Sequence, residues 1–105
     1  MQDLINLIEE LTEQIFNGNS QAVGELSKKM NEMIWEVIPG VIAIYSRPEM
    51  SDYSQDALLW PIVVENVMAV SETDDVFKLV DVLYYELRGN LIELMGIMNN
   101  VGIQM

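Results

Sequence analysis

The sequence predicts an all-α fold: one antiparallel bundle of four or five helices that forms a single domain over residues 1–105. Apolar residues recur at intervals of three and four in four separate segments, which is the spacing that places them on one face of a helix. Half of the residues are apolar, which suits one folded core in a chain of this length. The short polar stretches between the segments favour antiparallel neighbours.

The first helix is predicted to run from about Gln2 to Phe16. Asp3 favours its start, because a negative charge suits the positive end of the helix dipole. Asn17 and Gly18 favour its end, because these residue types adopt the left-handed cap most readily. The apolar residues that share its face are Leu4, Ile8, Leu11 and Ile15.

The second helix is predicted to begin at Asn19 or Ser20, whose side chains can accept hydrogen bonds from the first free amides. Pro39 interrupts it, since a proline removes one helical hydrogen bond. The helix then either ends near Val37 or kinks and continues to Tyr45, and we expect the kinked continuation. The alternative is a short strand at residues 41–45, which has no strand-like partner in the chain.

The third helix is predicted over roughly Tyr53 to Val70, after a polar break that contains Pro48. Asp52 and Gln55 have the spacing of a capping box. Pro61 should bend or break this helix. Because the helix is apolar around most of its girth, the sequence predicts that it packs in the middle of the bundle.

The last helix has the most regular pattern of the four. Ser71 and Asp74 have the spacing of a capping box at its start. Gly89 lies inside the helix, where it should mark a bend or allow another helix to approach closely. The predicted apolar line comprises Val76, Val80, Leu83, Leu87, Leu91, Leu94 and Met98.

The charge balance restricts the classes of partner. Seventeen acidic residues and five basic residues give a net charge of −12, which repels nucleic acids and anionic membranes. The longest uncharged apolar runs are far shorter than the roughly 20 residues that a membrane-spanning helix needs. No signal peptide is recognisable at the start of the sequence, and cysteine is absent, so we expect a cytoplasmic protein.

The residue types predict that the protein is not an enzyme. The sequence has no histidine and no cysteine, and neither a phosphate-binding loop nor a metal-ligand pattern, so we expect no catalytic residue, cofactor or metal site. Carboxylates one helical turn apart are common on solvated helix faces and carry no chemistry alone. These pairs are Glu9 and Glu13, Glu32 and Glu36, and Asp52 and Asp56.

Glu65 lies within an apolar stretch, where it either points to solvent or is buried with a raised pKa; we expect solvent exposure or a structural ion pair. Large aromatic and flexible apolar side chains are the candidates for contacts with a partner protein. Tyr84 and Tyr85 cannot both face the core, so at least one should lie near the surface. The full candidate interface set is Trp35, Trp60, Tyr84, Tyr85, Leu91, Met95 and Met98.

The string DDVFKLVDVLYYEL at residues 74–87 resembles the C-terminal helix of small acidic helical proteins of uncharacterised function found in bacteria. In those proteins a pattern like D-x-V-x-L-A-D-x-L-x-Y-E-L recurs, with a small residue where this chain has Val80. The resemblance implies a helical fold and a bacterial origin, and it transfers no site.

The predicted function is that of a non-catalytic protein interaction module, acting as an adaptor, a chaperone-like protein or a self-associating protein. Homodimerisation through the last helix is the simplest form. One alternative is an inhibitor that mimics nucleic acid at a basic protein site, which needs the charges on one face. The other is a bundle that binds a small molecule.

Overall fold

The computed structural model describes residues 1–70 and 75–103. Within them, α1 (Gln2–Phe16), α2 (Ser20–Tyr45) and α3 (Ser54–Val70) are followed by a C-terminal helix made of three consecutive segments: Val76–Val80, Asp81–Leu87 and Arg88–Val101. A 3-10 turn, Pro48–Tyr53, leads into α3. The described residues contain no strand, so the predicted all-α fold is confirmed and the alternative strand at residues 41–45 is wrong.

The C-terminal helix runs antiparallel to α1 and to α3. One side-chain hydrogen bond ties it to α3, where the Asn66 amide donates to the Glu86 carboxylate at 2.6 Å. An ion pair of 2.9 Å between Arg88 and Glu9 ties it to α1. Along α1, Phe16 lies near Val80 and Gln2 lies near Met98, which gives the antiparallel course. The result is an elongated bundle of 44 × 23 × 19 Å.

The core is entirely aliphatic at its centre. The predicted apolar line of the C-terminal helix is buried from Val80 to Met98, whereas Val76 at its start is exposed. The side chains that are shielded most completely come from α1, α2, the C-terminal helix and the 3-10 turn. They are Leu4, Ile8, Leu11, Met30, Ile34, Val41, Met50, Leu87, Leu91 and Leu94.

The turn between α1 and α2 forms as the sequence predicts. Gly18 has a φ of 71°, a left-handed conformation that glycine adopts without a steric penalty. Asn19 caps α2 by accepting a hydrogen bond of 3.2 Å from the Ala22 amide. The short connection makes α1 and α2 antiparallel, and they share the most extensive contact between any two helices in the described residues.

Both internal prolines lie inside continuous helices. Pro39 is within α2 and Pro61 is within α3, so the expected continuation through Pro39 is confirmed and a break at either proline is wrong. Each proline still removes the amide that would bond to the carbonyl four residues earlier. The carbonyls of Trp35 and Ala57 therefore lack their usual helical donor.

The C-terminal helix changes its winding over Asp81–Leu87, which is π-helical. The sequence predicts a bend at Gly89, but the change in winding lies upstream of it. The Asn90 side chain donates to the Glu86 carbonyl at 2.7 Å, which satisfies one carbonyl at the end of this segment. A methyl group at Gly89 would have nothing within 4 Å beyond the helix's own backbone, so the predicted close approach of another helix there is wrong.

The start of the C-terminal helix is capped by Asp75, whose carboxylate accepts from the Phe77 and Lys78 amides. The predicted capping box of Ser71 and Asp74 lies outside the described residues. The predicted one of Asp52 and Gln55 does not start a separate helix, because the 3-10 turn runs directly into α3.

Candidate binding groove

The helix α3 is exposed on much of its apolar surface, and the prediction that it packs in the middle of the bundle is wrong. Leu58 is 71% exposed, and Leu59, Ile62 and Met68 are also exposed. The helix packs mainly on the C-terminal helix and makes few contacts with α2. The two helices α2 and α3 therefore stand apart along one side of the bundle.

An open apolar groove of about 540 Å³ lies between the second half of α2 and α3. We call it the α2–α3 groove. Its walls are almost wholly hydrocarbon and aromatic, with two hydroxyl groups among them. They are formed by Ile38, Val41, Ile42 and Tyr45 of α2, by Ser46 directly after α2, and by Ala57, Trp60, Pro61 and Val64 of α3.

Both hydroxyl groups of the groove already have partners within the chain. The Ser46 hydroxyl donates to the Ile42 carbonyl at 2.9 Å. The Tyr45 hydroxyl accepts a hydrogen bond from the Trp60 indole, since the indole N–H is a donor only. A bound molecule therefore meets a surface that recognises it mainly by apolar contact.

Burial raises the pKa of the Tyr45 hydroxyl above its ordinary value of 10.0, and the hydrogen bond from Trp60 partly opposes this. The negative charges of Asp56 and Glu93 raise the pKa further. Tyr45 therefore stays protonated over the physiological range. Asp56 and Glu93 therefore lie near this end of the groove.

The apolar surface extends beyond the walls of the groove. Trp35 lies seven residues before Ile42, two helical turns away on the same face of α2, and both side chains are exposed. Ile42 is 58% exposed although it lines the groove. From Trp35 to Tyr45 the α2 wall is about 15 Å long at 1.5 Å per residue, which matches a helix of about ten residues.

The total accessible surface of the chain is consistent with the open α2–α3 groove. The chain has an accessible surface of 6502 Å², against roughly 6,000 Å² expected for a compact monomer of its mass. Exposed apolar side chains that adjoin one another commonly mark binding surfaces. Here they adjoin one another along α2 and α3.

The structure divides the predicted interface residues into three groups. Trp35 and Tyr85 are exposed, and Tyr84 and Met95 are half-buried. Trp60, Leu91 and Met98 are buried within the chain, and Trp60 also lines the α2–α3 groove. The apolar line of the C-terminal helix packs in the chain's own core from Val80 to Met98.

A second surface feature lies where α1 meets the C-terminal helix. Tyr85 is 70% exposed, and its ring meets Tyr84 edge-on with centroids 5.1 Å apart. The Arg88 guanidinium lies 4.3 Å from the centre of the Tyr84 ring and pairs with Glu9. This cluster satisfies its own charges, so it offers less to a ligand than the α2–α3 groove.

The carboxylates of the described residues lie on the surface. Glu65 is exposed, which confirms the expected orientation to solvent. Within the part of the chain that the structure describes, no charged side chain is buried, and no three acidic side chains converge as metal ligands would. Along residues 1–70 and 75–103, none of the helices combines the length and the apolar character required to span a membrane.

Comparisons with protein family models, with curated proteins and with solved structures found no match to this chain. The functional proposal therefore rests on the geometry of the groove.

Sequence reasoning missed the groove because it interpreted an all-round apolar helix as a central one. The signal was present: α3 has a single charged residue, Glu65, between Ala57 and Val70. Such a helix either is enclosed by its own chain or leaves apolar surface for something else to cover. Pattern alone does not distinguish these two outcomes.

Proposed function

We propose that this protein is a non-catalytic interaction module that binds an amphipathic helix of another protein in the α2–α3 groove. The supporting observation is an apolar cleft between two helices whose exposed flanks include Trp35 and Ile42. An amphipathic helix lays its apolar face into such a groove and buries it against both walls. A helix seated there would take the place that a further helix of the bundle would occupy.

The apolar lining and the satisfied hydroxyls favour a helix over an extended peptide. An extended strand needs backbone hydrogen bonds from its binding site, whereas both helical walls use most of their backbone groups internally. A helix satisfies its own backbone and presents only side chains. It can therefore bind a groove that provides few hydrogen-bonding groups.

Tryptophan fluorescence can report binding in the groove. The chain has two tryptophans: Trp60 lines the groove, and Trp35 lies on the same face of α2 as Ile42. A synthetic amphipathic helix of about 14 residues, made of leucine and lysine without aromatic residues, should change tryptophan fluorescence on binding. The measurement is a fluorescence titration, with calorimetry to give the stoichiometry.

A matched pair of variants localises the binding. Ile42→Glu places a charge in the groove, and Ile92→Glu places the same charge on an exposed isoleucine of the C-terminal helix. We expect Ile42→Glu to weaken peptide binding at least tenfold and Ile92→Glu to change it less than threefold. Equal effects would exclude the groove as the binding site.

The volume of the groove supports a second candidate, a small apolar ligand, because about 540 Å³ lies in the range of ligand pockets, roughly 300–1,000 Å³. A small ligand would raise the melting temperature without any protein partner. The open side of the groove favours the helix. The cytoplasmic location, the bacterial origin and the absence of a catalytic role stay predictions.

A further inference from the structure

The charges around the α2–α3 groove indicate which kind of helix it binds. We infer that the bound helix carries lysine or arginine residues beside its apolar face, so that a basic amphipathic helix is the partner. This inference rests on the proposed function and adds the chemical class of the partner. It depends on where the few basic residues of the chain lie.

Acidic side chains lie along the α3 side of the groove. Glu65 lies one turn after Pro61, which lines the groove, and its side chain is exposed. At the Tyr45 end, Asp56 and Glu93 are close enough to influence the Tyr45 hydroxyl electrostatically.

The basic residues do not neutralise this border. Arg47, at the Tyr45 end, pairs with Glu49 at 2.9 Å, and Arg88 pairs with Glu9 on another side of the bundle. Lys29 borders α1 beside Asp3 and Glu10. Lys78 lies at the start of the C-terminal helix, and Lys28 lies two turns before Trp35 on α2.

The same charges disfavour a second copy of this chain as the occupant. A symmetric dimer through α2 and α3 would bring the acidic borders of two chains together, each chain carrying a net charge of −12. Like charges across an interface are destabilising. Opposite charges steer association and favour the correct partner.

The test uses three synthetic helices with one apolar face of leucines and flanks of lysine, glutamine or glutamate. Each is titrated into the full chain by tryptophan fluorescence at low and at high salt. We expect the lysine peptide to bind at least tenfold more tightly than the glutamine peptide at low salt, and the glutamate peptide to bind more weakly still. Because exposed charges are screened, the preference should shrink as salt rises.

Two charge-matched double variants separate local from overall electrostatics. Asp56→Asn with Glu65→Gln removes two carboxylates from the groove border, and Glu10→Gln with Glu13→Gln removes two exposed carboxylates from α1. We expect the first pair to lower the affinity for the lysine peptide at least fivefold and the second pair less than twofold. Equal losses would overturn the inference, because the attraction would then come from net charge alone.

The outcomes distinguish the inference from the proposed function. If the lysine and glutamine peptides bind equally and Ile42→Glu weakens both, the groove binds helices and the basic partner is wrong. If Ile42→Glu weakens neither, the proposed function itself is wrong. A dimer seen by light scattering that Ile42→Glu dissociates would also overturn the inference, because the occupant would then be a second copy.

Discussion

Two seams of this bundle, the lines along which two helices face each other, are built from the same kinds of side chain. One of them is closed and the other is open. Between α1 and the C-terminal helix, Ile8 and Leu91 are fully shielded from solvent. Between α2 and α3, the groove stays open, and Ile42 remains mostly exposed. Apolar composition therefore does not decide which seam closes.

The difference follows from how the helices are tied together. The helix α1 packs on both α2 and the C-terminal helix, whereas α3 packs mainly on the C-terminal helix. The open seam is also the one whose two helices contain internal prolines, Pro39 and Pro61. A proline inside a helix disturbs its straight course, which works against close parallel contact over several turns.

The largest loss of stability is expected for a substitution in the closed seam between α1 and the C-terminal helix. Leu91→Ala removes a side chain with 0% exposure, so we expect the free energy of unfolding to fall by about 2–5 kcal/mol because a cavity remains. Urea denaturation followed by circular dichroism measures it.

The matched control is Leu58→Ala on the open side, where a change within about 0.5 kcal/mol is expected for an exposed position. Similar losses for both variants would mean that the open side is covered in solution.

The next effect concerns the prolines of the open seam. Pro39→Ala restores an amide that can bond to the Trp35 carbonyl, and we expect the free energy of unfolding to rise by about 1–3 kcal/mol. Thermal and urea denaturation give the change.

Pro48→Ala is its control. Pro48 begins the 3-10 turn, where proline is well tolerated, so its replacement should bring no gain. A loss of stability in Pro39→Ala would show that the ring itself is required in α2.

A smaller effect on stability is expected for the surface ion pair at the closed seam. The ion pair of Glu9 and Arg88 joins α1 to the C-terminal helix at 2.9 Å, and Glu9 is well exposed. A double-mutant cycle with Glu9→Gln and Arg88→Met should give a coupling of about 0.2–1 kcal/mol that declines with salt. A coupling that high salt leaves unchanged would contradict a solvent-screened pair.

The smallest effect is confined to alkaline pH and concerns Tyr45. Because the folded state holds the pKa of this hydroxyl above 10.0, folding favours its protonated form. That contribution to stability is present below the unfolded pKa and is lost as the pH rises through the folded pKa. Urea midpoints measured between about pH 8 and pH 11 should therefore fall more steeply for the native chain than for Tyr45→Phe. Parallel curves would show that Tyr45 is not the group responsible.

Sequence reasoning succeeded where local chemistry determines the structure. The bounds of α1, the left-handed Gly18, a polar cap at the start of α2 and the exposure of one of the two adjacent tyrosines all follow from residue types within a few positions of one another. It failed where the outcome depends on distant residues. Neither the burial of Trp60 nor the π-helical winding at Asp81–Leu87 has a local signature in the sequence.

The sequence by itself determined four amphipathic or apolar helical segments, a strongly acidic surface and the absence of histidine and cysteine chemistry. Only the tertiary structure decided that the apolar line of the C-terminal helix is buried inside the chain while α3 leaves much of its apolar surface exposed. The physical reason is that periodicity specifies which side chains share a face, because it depends on the helical repeat. What covers that face depends on how all the helices pack at once.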